Sequence, residues 1–210
     1  MKRFEIITEA DARVLPMGET VELVRGGHIT PLVLDTLRER RIAVMMEGGA
    51  PADAQALVPK ADIKTVSMGS DHTGIALRKA LVTLLRGRGL SVLDVGTDTT
   101  DAVDYPDIAE AVARLVTRGE ADAGIVIDAA GIGSAMAANK IDGIRAVMAT
   151  TEIIARYSRE HNGANVLSLG ASLLTEDEAK AIVTTWISTA MREPRYIRRL
   201  AKLSALERRS

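Results

Sequence analysis

The stretch ADAGIVIDAAGIGSAMAANK, residues 121–140, contains the pattern that decides the fold of this chain. Ala123 to Ile127 is a short apolar run of the kind that forms a strand buried on both faces. Asp128 ends this run, and Gly131 and Gly133 then lead directly into residues with helical periodicity. A buried strand, a glycine turn and a helix in this order are typical of a sheet whose strands run parallel.

The same alternation of short apolar runs and longer amphipathic stretches extends on both sides of this segment. The predicted strands are Thr65 to Met68, Ser91 to Val95, Ala123 to Ile127, Arg145 to Ala149 and Asn165 to Leu169. The predicted helices are Gly74 to Arg86, Asp107 to Thr117, Gly133 to Asn139, Thr151 to Glu160 and Glu176 to Met191. Because parallel strands need crossover connections, we predict an α/β fold with a doubly wound, Rossmann-like five-stranded parallel sheet and helices on both faces.

Residues 1–60 differ from this pattern and are predicted to form a small N-terminal appendage and linker. Thr20 to Val24 and Ile42 to Met46 are typical of short strands, and the segment between them is typical of a helix that begins at Thr30. The stretch GGAPADAQALVPK that closes this part is rich in glycine, proline and alanine, as linkers are. We therefore predict a main domain over residues 61–210, which ends in a C-terminal helical arm.

The composition limits the classes of function. The chain has 27 Lys and Arg against 28 Asp and Glu, so it has little net charge to attract nucleic acid or an anionic membrane. It has no cysteine, which excludes disulfides, thiolate metal sites and a cysteine base, and favours a reducing compartment. Because the N-terminus has no apolar run long enough for a signal peptide or a spanning helix, we expect a cytoplasmic protein without nucleic-acid or membrane partners.

Polar residues follow the predicted strands at the edge where doubly wound sheets bind their ligands. They are Gly69, Ser70, Asp71 and His72 after the first strand, Asp104 and Tyr105 after the second, Asp128 after the third, and Thr150 and Thr151 after the fourth. The helix that follows the fourth strand leads to His161 and Asn162. His72 and His161 are both predicted to face this edge, although a lone histidine is more often structural than catalytic. No HxxxH or HxH spacing is present, so we predict no metal site.

Asp128 is the leading catalytic candidate. Its carboxylate lies at the mouth of a buried sheet and is expected to be partly desolvated and to act as a base. The alternative is an aspartate that caps the following helix. The amides of the turn are predicted to bind phosphate or a developing oxyanion, whereas a tight turn without a ligand is the simpler interpretation. A dinucleotide site is disfavoured, since Met136 stands where the fingerprint requires a third small residue.

The C-terminal segment REPRYIRRLAKLSALERR, residues 192–209, is strongly basic. Arg195 and Arg199 are four residues apart and would share one helix face, which forms a fork suited to phosphate. A solvated basic tail is the alternative interpretation. The chain has too few aromatic residues to favour a nucleic-acid surface here.

Four ordered motifs resemble the ribose-5-phosphate isomerase B and galactose-6-phosphate isomerase family. They are GSDHTGIALRKAL, VLDVGTDTTDAVDYPDIA, GIGSAMAANKIDGIRAV and REHNGANVLSLGA, and the similarity extends from about Lys64 to the C-terminus. The resemblance implies an aldose-ketose isomerase of a four- to six-carbon sugar phosphate that works through an enediolate without a metal or other cofactor. It also implies a homodimer or higher homo-oligomer with active sites shared between subunits.

Roles for individual residues follow from the same resemblance. Asp128 would be the base, and His161 would donate a proton to the ring or carbonyl oxygen. The residues that would contact the sugar are Asp71 and His72, which would also assist ring opening, and Tyr105 and Asn162. The amides that would stabilise the enediolate are those of Ala129, Ala130, Gly131, Ile132 and Gly133. The phosphate would be bound by Arg195 and Arg199, in the same or the neighbouring subunit.

The chain departs from the family pattern at four positions. The family's usual base is a cysteine in a CGTGxG loop, and Asp128 stands there; a carboxylate is able to do the same work, as glutamate does in triosephosphate isomerase. Ala130 replaces a threonine of that loop, Ser172 replaces an arginine, and Tyr196 stands where many relatives have histidine. These changes leave open a second hypothesis, a sugar-phosphate-binding or scaffold protein without catalysis. A nucleotide-dependent oxidoreductase is the third hypothesis.

The N-terminal appendage has no counterpart in the minimal family fold. Its segments ITEADARVLP and ITPLVLDTLRERRI resemble sequences that precede some bacterial microcompartment enzymes. This resemblance implies a role in assembly or targeting, through association with a microcompartment, rather than a role in chemistry.

Overall fold

The computed structural model describes residues 2–47, 50–51 and 57–207. The chain divides into two compact units, one of Met1–Val58 with Ile197–Ser210 and one of Pro59–Tyr196. The residues from Ile197 onward therefore group with the N-terminal unit, whereas the sequence prediction places them in the main domain. Most of the predicted linker, residues 48–60, lies outside the described residues.

The N-terminal unit is a small α/β layer. Its described elements are β1 (Arg3–Ile7), α1 (Glu9–Val14), β2 (Thr20–Ile29), α2 (Val33–Glu39), β3 (Ala43–Met46) and β4 (Ala50–Pro51). The strand order is β1-β2-β3-β4, in which the first two pairs are parallel and the last is antiparallel. The core of this unit is apolar and includes Ile7, Leu15, Val21 and Leu37.

The sequence prediction includes β2, β3 and α2 of this unit but omits β1, α1 and β4. Helix α1 begins with a capping box, in which the Thr8 side chain accepts from the Asp11 amide and the Asp11 carboxylate accepts from the Thr8 amide. This spacing is a sequence signal for a helix N-terminus, so α1 was detectable. Helix α2 begins at Val33 rather than at Thr30, because the preceding residues form a turn in which the Val33 amide donates to the Thr30 carbonyl.

The Pro59–Tyr196 unit contains the five-stranded parallel sheet that the sequence predicts. Its strands are β5 (Thr65–Ser70), β6 (Ser91–Asp94), β7 (Ala123–Asp128), β8 (Ala146–Met148) and β9 (Val166–Gly170). Its helices are α3 (Ile75–Gly87), α4 (Tyr105–Thr117), α5 (Ile132–Ala138), α6 (Glu152–Glu160) and α7 (Glu176–Ser188), and α8 (Pro194–Glu207) begins at its end. Helix α7 ends before the predicted Met191 because Thr189 has an extended backbone.

The strand order in this sheet is β6-β5-β7-β9-β8, and every pair is parallel. One face packs an apolar cluster that includes Met68, Ile127 and Trp186, and the other packs a cluster that includes Val126 and Ala138. The chain leaves β5 for β6 on one side and then crosses to β7 on the other, so the topological switch point lies between β5 and β7. No helix in the described ranges has both the length and the apolar character of a membrane span.

Arg159 near the end of α6 ties together three segments of the Pro59–Tyr196 unit. Its guanidinium donates to the carbonyls of Lys60 and Ala164 at 2.8 Å and of Thr189 at 3.3 Å. Burial, together with the charge of Arg145, lowers the pKa of Arg159 to about 10, so the side chain is protonated near neutral pH. The three carbonyls compensate the buried charge and fix the chain that follows α6.

Candidate functional site

The carboxyl ends of β5 and β7 meet at the switch point and bring two aspartates together. Ser70 at the end of β5 pairs with Ile127 of β7, and the Asp71 amide donates to the Ile127 carbonyl at 3.2 Å. Because paired strands lie about 4.8 Å apart, Asp71 and Asp128 occupy neighbouring backbone positions. Each is 5% exposed, and they are the only buried carboxylate residues in the described part of the chain.

The Asp128 carboxylate accepts four hydrogen bonds from the residues that follow it. Oδ1 accepts from the Ala130 amide at 2.8 Å and from the Gly131 amide. Oδ2 accepts from the Ser134 amide at 2.8 Å and from the Ser134 hydroxyl at 2.5 Å. A carboxylate has about four lone-pair positions, so the acceptor capacity of this side chain is filled.

This geometry argues against the predicted role of Asp128 as the base. A base needs a lone pair directed at the substrate's proton, and here the lone pairs face donors of the residue's own turn and helix. The structure is closer to the alternative drawn from the sequence, in which Asp128 stabilises the start of the following helix, although the N-cap residue of that helix is Gly131. Helix α5 begins at Ile132, and Ser134 in its first turn supplies two of the four donors.

The turn after β7 is also fixed from its outer side by β9 and the residues that follow it. The Ser168 hydroxyl donates to the Gly131 carbonyl at 2.6 Å, and the Ser172 amide donates to the Ala129 carbonyl at 2.9 Å. Gly131 has φ +76°, and a Cβ there would lie 2.8 Å from the Leu169 carbonyl carbon. Glycine tolerates both the left-handed backbone conformation and this close approach, so the turn packs directly against β9.

Two of the five amides predicted to stabilise an enediolate are engaged elsewhere. The amides of Ala130 and Gly131 donate to Asp128, which corrects the sequence prediction for these two residues. The amides of Ile132 and Gly133 have no hydrogen-bond partner among the residues that the structure describes. These two amides are therefore the donors that the start of α5 offers to a bound molecule.

Tyr105 covers the start of α5. It is the first residue of α4, and its ring is partly exposed. A Cβ built at Gly133 would lie 2.6 Å from Cζ and 2.9 Å from the hydroxyl oxygen of Tyr105. The phenol therefore lies against the glycine backbone, and the structure brings these two predicted site residues together.

Asp71 and His72 follow β5 and have different partners. Oδ1 of Asp71 accepts from the Thr73 amide at 2.8 Å and from the Thr73 hydroxyl at 2.5 Å, whereas Oδ2 has no partner in the described ranges. Nδ1 of His72 accepts from the Val103 amide at 3.3 Å. Because Nδ1 accepts, the neutral ring carries its proton on Nε2, where it is available to donate to a ligand.

Arg78 is a buried residue that the sequence analysis did not single out. Its side chain on α3 is 1% exposed and pairs with Asp94 at 2.8 Å and with Asp98 at 2.6 Å. These pairs hold the loop that leads from β6 to Tyr105. The sequence signal was its position, because Arg78 lies three residues before Leu81 on the buried face of α3.

His161 and Asn162 lie at the opposite edge of the sheet from Asp71 and His72. Helix α6 begins after the carboxyl end of β8 and runs back across the sheet, so its last residues precede the amino end of β9. Parallel strands of five or six residues span about 16–20 Å, which is longer than any side chain. The prediction that His72 and His161 face the same edge is therefore wrong within one chain.

At this amino edge, the ring of His161 lies between two tyrosine rings, a group that we call the aromatic stack. The centroid of His161 is 4.6 Å from that of Tyr157 and 4.4 Å from that of Tyr196. The guanidinium of Arg195 lies 4.7 Å from the centroid of the Tyr196 ring and donates to its hydroxyl at 2.8 Å. Tyr196 thus connects two predicted site residues, His161 and Arg195.

The remaining predicted site residues are exposed. Arg195 and Arg199 lie four residues apart on α8, as their spacing predicts, and both are exposed. Asn162 is exposed directly after the aromatic stack. Within the described ranges, no cluster of three or more His, Asp or Glu side chains is arranged to hold a metal ion.

Sequence comparison relates the chain to sugar-phosphate isomerases. A family profile described as ribose/galactose isomerase matches residues 66–203. Ribose-5-phosphate isomerase B of Escherichia coli is 39% identical over 147 residues, which are 70% of this chain and 99% of that protein. A putative sugar phosphate isomerase of Bacillus subtilis is 36% identical over 146 residues, which are 69% of this chain and 98% of that protein.

Comparison with solved structures gives the same result. Ribose-5-phosphate isomerase B of Clostridium thermocellum is similar with a TM-score of 0.68 and 42% identity, over 69% of this chain and 98% of that chain. The ribose-5-phosphate isomerase B of Mycoplasma genitalium, solved with bound ribulose 5-phosphate, is similar with a TM-score of 0.67 and 34% identity, over 70% of this chain and 97% of that chain. The shared region is thus nearly the whole of each relative.

Replacing Gly133 by alanine tests the contact with Tyr105. The added methyl group would overlap the phenol ring, so we expect a loss of about 1–3 kcal/mol in the free energy of unfolding, measured in urea. Gly87→Ala is the matched control, since a Cβ there meets nothing within 4 Å. Starting from Tyr105→Ala, the Gly133→Ala change should cost much less, because the overlap is gone. An equal loss in both backgrounds would contradict the contact.

Replacing Asp128 by asparagine tests its role in the turn. Asparagine keeps one acceptor oxygen and places an NH₂ group against two backbone or hydroxyl donors. Because each buried unpaired polar group costs about 1–3 kcal/mol, we expect the free energy of unfolding to fall by roughly 2–4 kcal/mol. Asp142→Asn is the control, since Asp142 is exposed before β8. A stability unchanged by Asp128→Asn would show that the carboxylate does not hold the turn.

Proposed function

Since the chain belongs to the ribose/galactose isomerase family, we propose that it is an aldose-ketose isomerase of a sugar phosphate. The observation that carries this proposal is the grouping of Asp71, His72, Tyr105 and the start of α5 at the switch point of a fold shared with ribose-5-phosphate isomerases B. The ribulose 5-phosphate bound to the Mycoplasma genitalium enzyme supports a pentose phosphate, or a sugar phosphate of similar size, as the substrate.

The reaction requires few chemical groups. A base removes the proton from the carbon next to the open-chain carbonyl, and the electron pair of that bond forms the double bond of an enediolate. Donors stabilise the negative charge on oxygen, and the proton then returns to the adjacent carbon. The reaction is redox-neutral overall, so it consumes neither an oxidant nor a reductant.

The carboxyl edge of the sheet supplies the groups that face the reacting carbons. Asp71 and His72 contact the sugar and assist ring opening, and the Nε2–H of His72 is a donor that the Val103 contact keeps in place. The unpartnered amides of Ile132 and Gly133 face the developing oxygen charge. Tyr105 lies against Gly133 and holds the sugar, which also limits the access of water.

The groups at the amino edge reach the sugar from a second copy of the chain. A homodimer in which the amino edge of one sheet meets the carboxyl edge of the other completes the site, because one chain alone leaves the two edges about 16–20 Å apart. His161 then donates a proton to the sugar oxygen, and Asn162 holds the sugar. The aromatic stack supports this assignment, since it carries His161 and Arg195 as one group.

Arg195 and Arg199 bind the phosphate in this arrangement. Both are exposed on one face of α8, and guanidinium groups form paired hydrogen bonds with phosphate oxygens. Arg195 also donates to the Tyr196 hydroxyl, which orients its guanidinium before the phosphate arrives. The resulting site spans both edges, with the phosphate at one end of the sugar and the carbonyl at the other.

A second candidate function is the binding of a sugar phosphate without catalysis. The observation that favours it is the Asp128 carboxylate, which stands where the family resemblance implies a cysteine base and is filled by four donors. Ala130 also lacks the hydroxyl that the resemblance implies at its position. A protein of this kind would retain affinity for the sugar phosphate but would not exchange its carbon-bound hydrogen.

Hydrogen exchange in deuterated water separates the two functions. The protein is incubated with ribose 5-phosphate, erythrose 4-phosphate or galactose 6-phosphate, and deuterium at C1 or C2 is measured by NMR together with ketose formation. We expect both for at least one of these sugars, because the enediolate exposes the carbon to solvent protons on the base. Thermal stabilisation by a sugar phosphate without exchange would support the binding function instead. The absence of both exchange and stabilisation would exclude both functions.

Mixing two inactive variants tests whether the site is shared between subunits. His72→Ala and His161→Ala are each expected to lose most of the activity. In a hybrid dimer one site would contain both native histidines, so random pairing should restore about one quarter of the unsubstituted activity. The control mixes His72→Ala with Tyr105→Ala, two changes at the same edge, which leave no intact site in any dimer. Equal recovery in both mixtures, or none in the first, would contradict a shared site.

A further inference from the structure

We propose that Asp71, rather than Asp128, is the base that removes the carbon-bound proton, an inference that rests on the isomerase function proposed above. The base must be a group with an unoccupied lone pair at the carboxyl edge of the sheet. It must also be held in a fixed orientation, because proton removal depends on the geometry between the base and the C–H bond. Asp71 is the residue that meets both conditions.

The composition and the burial of the chain leave few alternatives. No cysteine is present anywhere in the sequence, so a thiolate base is excluded. Among the described residues, Asp71 and Asp128 are the buried carboxylate residues, and the four donors around Asp128 fill its lone pairs. Of the acids at and after the end of β6, Asp94 and Asp98 pair with Arg78, and Asp101 and Asp104 are exposed.

The two oxygens of Asp71 differ in a way that suits a base. Oδ1 accepts both the amide and the hydroxyl of Thr73, which fixes the plane of the carboxylate. Oδ2 has no hydrogen-bond partner among the described residues. It is also not fully enclosed by the protein, so it retains some accessible surface. One oxygen therefore orients the group, and the other is left for the substrate.

The surroundings of Asp71 supply the other groups that the step needs. The Asp71 amide is bonded to the Ile127 carbonyl, which places the residue directly beside the turn that presents the amides of Ile132 and Gly133. His72, with a donor at Nε2, is the next residue along the chain. If the carbonyl oxygen of the sugar faces these donors, the carbon that loses its proton lies at the end of β5, next to Asp71.

The step balances without any further reactant. Oδ2 of Asp71 takes the proton from the carbon next to the carbonyl, the electron pair of that C–H bond becomes the C=C bond of the enediolate, and the carbonyl electron pair moves to oxygen. The protonated carboxyl group then returns its proton to the former carbonyl carbon. The hydroxyl proton of the first carbon moves to the other oxygen through solvent or a neighbouring donor, so the sugar is isomerised and Asp71 is regenerated.

The test compares Asp71→Asn with Asp128→Asn in the deuterium exchange assay, with the sugar phosphate that the unsubstituted protein exchanges. Asparagine at 71 keeps an oxygen that accepts both Thr73 bonds, so the fold and the thermal stabilisation by that sugar phosphate should be retained. The exchange rate should fall by about 10²–10⁴-fold, the usual effect of removing a general base. Asp128→Asn should lower stability and, through the displaced turn, also slow exchange, but per folded molecule the loss should be smaller than that of Asp71→Asn, because the group that takes the proton is retained.

Asp71→Ala with added formate provides a readout that a structural role would not produce. The small carboxylate should enter the space left by the side chain and restore part of the exchange, whereas chloride at equal ionic strength should not. Asp142→Asn is the control for removing a carboxylate from this domain and should exchange at the unsubstituted rate.

The outcomes separate this inference from the function on which it rests. Full exchange by Asp71→Asn, or a greater loss of exchange per folded molecule in Asp128→Asn than in Asp71→Asn, would overturn the assignment of the base and leave the isomerase function standing. No exchange by the unsubstituted protein with any of the sugar phosphates would overturn the function itself, and the assignment of the base with it.

Discussion

Four hydrogen bonds converge on the Asp128 carboxylate, and they fix the backbone that follows the central strand β7. They draw the turn inward and set the first residues of α5, while Ser168 holds the same turn from the side of β9. Gly133 at the start of α5 then provides the surface against which the Tyr105 ring lies. A carboxylate whose own lone pairs are filled thus positions both the unpartnered amides and the phenol of the candidate site.

The sheet was predictable from the sequence because its strands are continuous apolar runs separated by amphipathic stretches, and this pattern depends on burial alone. The partners of Asp128 were not predictable from the sequence, since an aspartate between a strand and a glycine turn has the same sequence context whether it acts as a base or stabilises a helix start.

The prediction for the position of His161 was wrong for a geometric reason. A helix that connects two parallel strands starts at the carboxyl edge and ends at the amino edge, so residues at its two ends cannot share a site in one chain. In the N-terminal unit, α1 is short and lacks a long apolar stripe, and the Thr8–Asp11 spacing was its one clear signal.

The distribution of polar residues between the two edges constrains how a site is built. Asp71, His72 and Tyr105 form one group, and His161, Tyr196 and Arg195 form another. Each group is ordered by its own contacts, through Thr73 and Val103 in the first and through ring stacking in the second. In the proposed homodimer these two preformed groups are brought together, which costs less conformational entropy than ordering the residues at the moment of binding.

The family resemblance implies a cysteine at position 128, where this chain has aspartate. This replacement changes more than the acidity of one group. A thiol is a weak acceptor and is stable in a buried site with few partners, whereas a buried carboxylate is costly unless donors surround it. The nearest donors at the end of β7 are the amides of the turn and Ser134, and once they bind the carboxylate it faces the protein rather than the substrate. The chemistry of the site then depends on the neighbouring strand, where Asp71 has one oxygen anchored by Thr73 and the other left without a partner in the described chain. A carboxylate introduced to replace a thiolate base therefore takes a structural role whenever amides lie closer to it than the substrate does.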